Sequence, residues 1–488
     1  MILSERAPRR QWLIGAALGC YAAIAALAPG RAGKLVLGAP VLLAPVVWLI
    51  LAVPNAWLAL FLACATLAPP LPIALGDTGP HVALVFAAAG LVAGMLRLSE
   101  WRITADPLFA AILALWSIML ASVSMAALDS GLAIAAGSFA RALLFGISVY
   151  VFLYVRDGPG RMDSRQSMRA VRWLYWAAIA SAAFACVDFY FQFPAPAGYE
   201  QQFIWLASGR YRRAMGIFYE ASTLGNFCAF FLEMIAVAMF RPREDRPIST
   251  RAMIVGGAIL AAALVLSYSR ASLINLGVAL AVLLWLHRGQ FRWKRLAVRF
   301  AILGGAAAAV LAFALPNFAE HYWLRISAAF QYFFESPNSV LSGRLQSWQM
   351  LGEWVLSHPW HLVLGVGYKT LPYSDFIGST AVADNTYLSL LAETGVLGLA
   401  AVVLLNAVVL WSGYRAMRSG NPVQQFCGTW MFCFWAGQCV QMMSADLLTY
   451  WRVLPVYFFV LALASREEWG SLSGAAARPN IRSGEEHS

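Results

Sequence analysis

Ala383-Asp384-Asn385-Thr386-Tyr387-Leu388-Ser389-Leu390-Leu391-Ala392-Glu393 joins the two kinds of sequence that make up this chain. Before it, residues 317–384 form a long polar interruption that carries Arg344, His358, His361, Lys369 and Asp375. After it, residues 385–410 are a nearly unbroken apolar run with one deep acid, Glu393. Working outward, most of the chain resembles the second kind. It is 61% hydrophobic and 12% charged, with a mean hydropathy of +0.67. Soluble domains sit near half apolar and a quarter charged. No soluble fold of 488 residues hides that much apolar surface, so the class expected is an all-α polytopic membrane protein. A β-barrel would need alternating, half-polar strands, and these runs are continuously apolar.

Apolar runs separated by charge or by Pro and Gly place spans near 12–29, 35–53, 55–72, 81–97, 107–128, 131–155, 173–193, 215–240, 252–268, 271–287, 300–316, 385–410, 425–444 and 450–465. The tightest turns fall near Pro54, Asp129 and Ser269, and the reading is of about 12–14 transmembrane helices. The chain divides into N-terminal helices over 1–172, central helices over 173–316, the large polar loop over 317–384 and C-terminal helices over 385–465. A Gly-, Ala- and Ser-rich tail, 466–488, is expected to be disordered. The run from Trp12 to Pro29 follows Arg6, Arg9 and Arg10 and reads as a retained signal anchor.

The net charge is +11, so the positions of the cations decide what it means. Arg156, Arg161, Arg165, Arg169 and Arg172 share one connection, Arg241, Arg243, Arg246 and Arg251 the next on that side, and Arg415 and Arg418 a later one. Loops rich in Lys and Arg stay cytoplasmic. Both termini are therefore expected inside, and the basic clusters contact lipid headgroups, not nucleic acid. The 7 cysteines all fall in apolar runs, where a thiol packs as a small hydrophobe. Cys427, Cys433 and Cys439 do not follow common metal-ligand spacings.

With that orientation, Asp188, Arg210, Arg212, Arg213, Glu220, Arg270, Arg344, Asp384, Glu393, Asp446 and Arg452 gather at or beyond span ends on the outer side. Charges at membrane depth are costly and usually face a cavity and a partner. A water-accessible cavity opening outward accounts for them. Arg210-Tyr211-Arg212-Arg213 runs against the positive-inside trend, and either an anionic ligand or interfacial snorkelling explains it. Arg270 sits in a tight outer turn, as a ligand group or an interfacial one.

Within the polar loop, His321 to Glu335 is aromatic-rich and suits the interface plane. A second helix is expected from about Ser342 to Ser357, with Arg344 and Trp348 on one face: a site for phosphate and sugar, or plain packing. Leu364-Gly365-Val366-Gly367-Tyr368 allows a close backbone approach to a ligand, or a tight turn. Asp384, taken alone, also reads as a helix N-cap.

In order, Arg213-Ala-Met-Gly-Ile-Phe218, Leu266-Ser-Tyr-Ser-Arg270, Gly343-Arg344-Leu-Gln-Ser-Trp348, Gly365-Val-Gly-Tyr368 and Asp384-Asn385-Thr-Tyr387 through Glu393-Thr-Gly395 and Gly398 resemble the O-antigen ligase and O-antigen polymerase superfamily of bacterial membrane glycosyltransferases. The resemblance covers about residues 210–400. It implies a fold of the membrane-embedded type C class with a periplasmic loop, and an inverting, metal-independent transferase in the inner membrane that uses no cofactor. The implied donor is a glycan on undecaprenyl pyrophosphate, met by a glycan acceptor at the periplasmic face. Membrane lipids and polysaccharide-assembly proteins such as a chain-length regulator are the other expected partners.

Arg270 and Arg344 match the family's arginines, and Asp384 stands where its ligases commonly carry a histidine. These three are the expected catalytic residues. Arg212, Arg213, Glu220, Trp348, Tyr368, Asn385, Tyr387 and Glu393 are expected to line the substrate site. The aspartate leans the reading towards polymerases of O-antigen or exopolysaccharide. A ligase acting on lipid A core or another acceptor is the alternative. A transporter of lipid-linked sugars would more naturally show paired repeats.

Overall fold

A computed structural model of the chain describes residues 44–71, 80–196, 201–206, 209–290 and 343–466, with isolated positions elsewhere. The expected spans 12–29 and 300–316, the aromatic stretch 321–335 and the tail beyond 466 lie outside the described residues, single positions apart.

Helices dominate. In chain order they are α1 (Ala44–Ala52), α2 (Ala56–Leu67), α3 (Val82–Leu96), α4 (Pro107–Ser130), α5 (Leu132–Arg156) and α6 (Ser164–Phe191). Then come α7 (Ala221–Met239), α8 (Thr250–Leu266), α9 (Arg270–Leu286), α10 (Arg344–Ser357), α11 (Pro359–Leu364), α12 (Thr386–Met417), α13 (Pro422–Gln441) and α14 (Leu454–Ala464). Of the described helices, α4, α5, α6, α7 and α12 are each long and apolar enough to cross a membrane, while α1 and α2 pass that test only together, bent by 120° at Pro54. The fold is that of a polytopic all-α membrane protein. One antiparallel hairpin, β1 (Phe203–Leu206) with β2 (Gly209–Arg212), lies in the connection between α6 and α7.

Helix starts follow local chemistry. Asp106 accepts from Phe109 N at 2.8 Å ahead of Pro107 at the first turn of α4, and Asp163 and Gln166 form a reciprocal capping box on α6. Asn421 caps α13, again with proline in the first turn. At α12 the cap is Asn385, whose Oδ1 accepts from Tyr387 N and Leu388 N. Asp384 is thus not the N-cap.

α6 begins at Ser164, where the span is expected from 173, and three further expected spans depart for local reasons. The expected 215–240 span begins only at Ala221, because Gly216–Phe218 forms a 3-10 turn and Tyr219 takes φ +55°. The expected 450–465 span shortens to α14, 11 residues that are all buried, since residues 442–453 fold into an irregular connection. The run 385–410 is interrupted at Gly395, whose φ of 72° and ψ of −171° break α12 into a short entry helix and a long span.

The break explains the Gly365-Val366-Gly367 motif. Val366 N donates to Ala392 O at 3.1 Å and Gly367 N to Glu393 O at 2.8 Å, taking up carbonyls next to the interruption. A Cβ on Gly365 would collide with the backbone of Glu393 and Thr394, and one on Gly395 with Val363 O. The glycines let two stretches of the protein's own backbone cross, which answers the choice between a ligand and a turn.

A buried polar network joins α7, α9, α13 and α14. Asn226 Nδ2 and Asn275 Nδ2 each donate to Gln438 Oε1 and Gln441 Oε1 at 2.8–2.9 Å, and Tyr457 OH donates to Asn226 Oδ1 at 2.6 Å. Away from water, unmade bonds of this kind are expensive, so the network fixes how these helices sit together. Residues 343–392 add a small core of Leu351, Val355, Val366, Leu371, Ala383 and Ala392, separate from the main one.

Candidate functional site

The first turns of α7, α9 and α12 and the 442–453 connection meet at one end of the bundle, beside α10. The local folding there is strained in a patterned way. Among the described residues, Tyr219, Tyr268, Lys369 and Asp384 have φ of 55°, 52°, 59° and 44°, and only Gln192 joins them as a non-glycine with positive φ. Such backbone costs about 1–3 kcal/mol per residue and clusters at functional sites.

Two of the sequence motifs are bonded to each other. Ala214 N donates to Leu266 O and Arg213 Nε to Ser267 O, both at 2.9 Å, so the stretch from Arg213 is laid along the end of α8. Arg270 follows immediately as the first residue of α9, behind its cap Ser269. Burial pushes the Arg213 guanidinium below its ordinary range, Tyr450 and Glu220 pull it back, and the charges of Arg344 and Arg270 push it further down. Three arginines from three motifs therefore share one electrostatic environment.

Glu220 precedes α7 and faces the same space. Burial raises its pKa, while a 2.5 Å hydrogen bond from Thr223 Oγ1 and the charge of Arg213 oppose the rise; Asp384 and Asp446 reinforce it. Arg344 Nε donates to Asp384 Oδ2 at 3.0 Å, and Trp348 Nε1, one turn along α10, donates to Ala383 O at 2.5 Å. The common face of Arg344 and Trp348 docks α10 on the residues that open α12. The indole N–H is used for packing, and the Arg344–Asp384 pair stays partly open to solvent.

A second charged cluster adjoins the first. Lys369 bonds Asp446 and lies 3.7 Å from Glu393 Oε2, and Ser389 Oγ donates to Asp446 Oδ2 at 3.2 Å. Burial works against the Lys369 ammonium, but Asp446 and Glu393 outweigh it and hold its pKa above the ordinary lysine range. Tyr368 is buried next to it, its N–H on Ser122 Oγ at 3.1 Å.

The structure thus brings Arg213, Glu220, Arg270, Arg344 and Asp384 together, with Asn385 capping the helix behind them. Glu393 and Tyr368 belong to the neighbouring Lys369 cluster. Two expected site residues point elsewhere. Arg212 is buried against Asp188 at 3.3 Å and Phe193 O at 3.2 Å, and Tyr387 OH bonds Cys439 O and Asn406, bracing α12 against α13. Arg452 is held by Ala65 O and Ala68 O at the end of α2 and by Ile217 O.

Tyr450 was not singled out by sequence. Burial, Glu220, Asp384 and Asp446 push its phenol well above the ordinary range, against a bond with Ser222. As 1 of 17 tyrosines it carries no sequence signal beyond its closeness to Asp446. Among the described residues, no group of three or more His, Cys, Asp or Glu converges as a metal ion would require.

This arrangement sets cationic guanidiniums beside carboxylates at one end of the bundle. It can bind a multiply charged anion and accept a proton beside it. Residues 255–403 match a family model, Wzy_C, described as O-Antigen ligase. The match includes Arg270, Arg344, Asp384 and Glu393, while Arg213 and Glu220 precede it. No curated protein matches the chain.

Proposed function

We propose that this protein, whose residues 255–403 match the O-Antigen ligase family model, polymerises undecaprenyl-pyrophosphate-linked oligosaccharide units into surface polysaccharide at the periplasmic face of the inner membrane. The observation that carries this reading is the convergence of Arg213, Arg270 and Arg344 on the space next to Asp384 and Glu220. A pyrophosphate leaving group gathers negative charge as its bond to the sugar breaks. Preorganised guanidiniums in a recess stabilise that charge more than they do in water.

In the reaction, an acceptor hydroxyl attacks the anomeric carbon from the face opposite the pyrophosphate. The new C–O bond forms as the old one breaks, undecaprenyl pyrophosphate leaves with the electron pair, and the configuration inverts. The hydroxyl proton passes to Asp384, whose carboxylate Arg344 orients through Oδ2. The charge distribution supports the orientation: the Arg156–Arg172 and Arg241–Arg251 clusters, with Arg415 and Arg418, lie at the opposite end of the bundle, the end expected to stay cytoplasmic.

Asp384, in place of the histidine common in ligases, favours the polymerase. The description of the matching family favours the second reading, a ligase that delivers the glycan to lipid A core or another acceptor. Purified protein given only a synthetic undecaprenyl-pyrophosphate oligosaccharide is expected to build a ladder of longer products. Consumption only when a separate acceptor is added would assign the ligase. No product with either would overturn both readings.

A further inference from the structure

At the other end of the bundle lies a cavity of about 400 Å³ that the glycan site does not use. It is enclosed by the residues before α4, the end of α5, the start of α6, the start of α13 and the residues after α14. Its lining holds four arginines, Arg102, Arg156, Arg161 and Arg466, and three aspartates, Asp106, Asp157 and Asp163. The charges do not pair evenly. Arg156 alone takes two aspartates, Asp106 at 2.9 Å and Asp157 at 2.8 Å. Asp163 spends one oxygen on capping α6, accepting from Gln166 N at 2.6 Å. Positive charge therefore accumulates at Arg102, Arg161 and Arg466.

The hydrogen bonds leave capacity there as well. Arg161 donates from Nε and one Nη to the carbonyls of Arg156 and Arg102, and Arg466 donates from one Nη to Met162 O. A guanidinium has five N–H donors, so each retains some. Ser465 Oγ, which lines the same cavity, is buried with no hydrogen-bond partner among the described residues. Burial pushes the Arg466 guanidinium below its ordinary range and the charge of Arg161 adds to this, with Asp163 opposing it. Crowded cations beside an orphan hydroxyl are what an anion would relieve.

We propose that this cavity binds a phosphate-bearing anion through Arg161 and Arg466, with Ser465 as a third donor. Planar guanidiniums meet phosphate oxygens two at a time. The cavity is larger than a bare phosphate needs, and it opens where α5 ends and α6 begins, the end of these spans expected to meet cytoplasmic lipid headgroups. A glycerophosphate headgroup of an acidic phospholipid fits both facts, and soluble phosphate shares the chemistry.

The test uses the full chain in detergent. Native mass spectrometry counts bound phosphatidylglycerol against phosphatidylcholine, and a thermal-unfolding titration with inorganic phosphate forms the second arm. Two variants accompany the wild type. Arg161→Gln removes a ligand, and Ser465→Glu puts a carboxylate in the anion's place, so a folding defect in one leaves the other informative. The expected result is retention of phosphatidylglycerol but not phosphatidylcholine, weakened at least tenfold in the variants. An equal response to inorganic phosphate, lost in the same variants, would identify soluble phosphate as the source. Binding unchanged in the variants, or no response to either phosphate source, overturns the proposal.

Discussion

Asp384 combines three properties: a backbone at φ +44°, an ion pair with Arg344 at 3.0 Å, and a place directly before the cap of α12. The positive φ narrows the choice of residue, because beyond glycine it is Asn, Asp and His that enter this region most readily. The histidine common in ligases and the aspartate here both satisfy that constraint. Asp384→Asn therefore removes the charge with little backbone penalty. It is expected to lower turnover by about 10²–10⁴-fold with unfolding temperature nearly unchanged. Asp384→His is expected to recover part of the loss. Steady-state rates with thermal unfolding of each variant check this, and near-normal turnover in Asp384→Asn would remove the base role. A second residue ties stability to pH. His81, buried at the start of α3, contacts Ala68 O through Nε2 at 3.0 Å and accepts from Ala83 N through Nδ1 at 3.1 Å, an arrangement for neutral imidazole. Burial and the charge of Arg452 lower its pKa to about 4, against the pull of the Ala68 bond. The unfolded chain then binds the proton first. Stability is full above about 6.5, falls as the pH drops towards 4, and levels off below; the loss is on the order of 3 kcal/mol. Unfolding temperature measured across that range should show the decline in the wild type and a flatter profile in His81→Gln.

At the scale of elements, the break in α12 sets the shape of the site. Gly395 turns the backbone, and the two amides from Val366 and Gly367 hold the turned carbonyls. Gly395→Ala would need a positive φ and a Cβ where Val363 O lies. It is expected to cost at least about 1–3 kcal/mol and to lower the unfolding temperature, while a conservative change in the exposed part of the same helix, such as Val403→Leu, leaves it unchanged. An unchanged unfolding temperature in Gly395→Ala would count against the crossing. The start of α4 was legible, since Asp106-Pro107 announces it where the span 107–128 is expected. By contrast, the capping box of Asp163 with Gln166 opens α6 in a polar turn that hydropathy passes over, which places that span only from 173. The break was not legible, since Thr394-Gly395-Val396 sits in an apolar run that hydropathy reads as continuous. Nor was the late start of α14 at Leu454, because Tyr450-Trp451-Arg452-Val453 falls in the expected span 450–465 yet belongs to the connection that follows Asp446.

For the whole molecule, the uneven charge of the two ends was readable from the order of arginines alone. It sets Arg213, Arg270, Arg344 and Asp384 apart from the basic clusters of the opposite end. Residues whose partners are remote in sequence were harder. Arg212 looked equivalent to Arg213 but is buried against Asp188, and Lys369 gained its meaning only through Asp446 and Glu393. The polar network of Asn226, Asn275, Gln438 and Gln441 lies below the site and fixes α7 and α9 against α13. Glu220 and Arg270 are thereby carried on helices whose spacing is set inside the membrane. The central claim is that the arginine cluster stabilises a departing pyrophosphate. It is tested most directly by release of undecaprenyl pyrophosphate from a synthetic lipid-linked oligosaccharide, compared between wild type and a folded Arg270→Ala variant under saturating donor. Loss of one such donor group is expected to slow release by about 10²–10³-fold. Release at the wild-type rate would contradict the account.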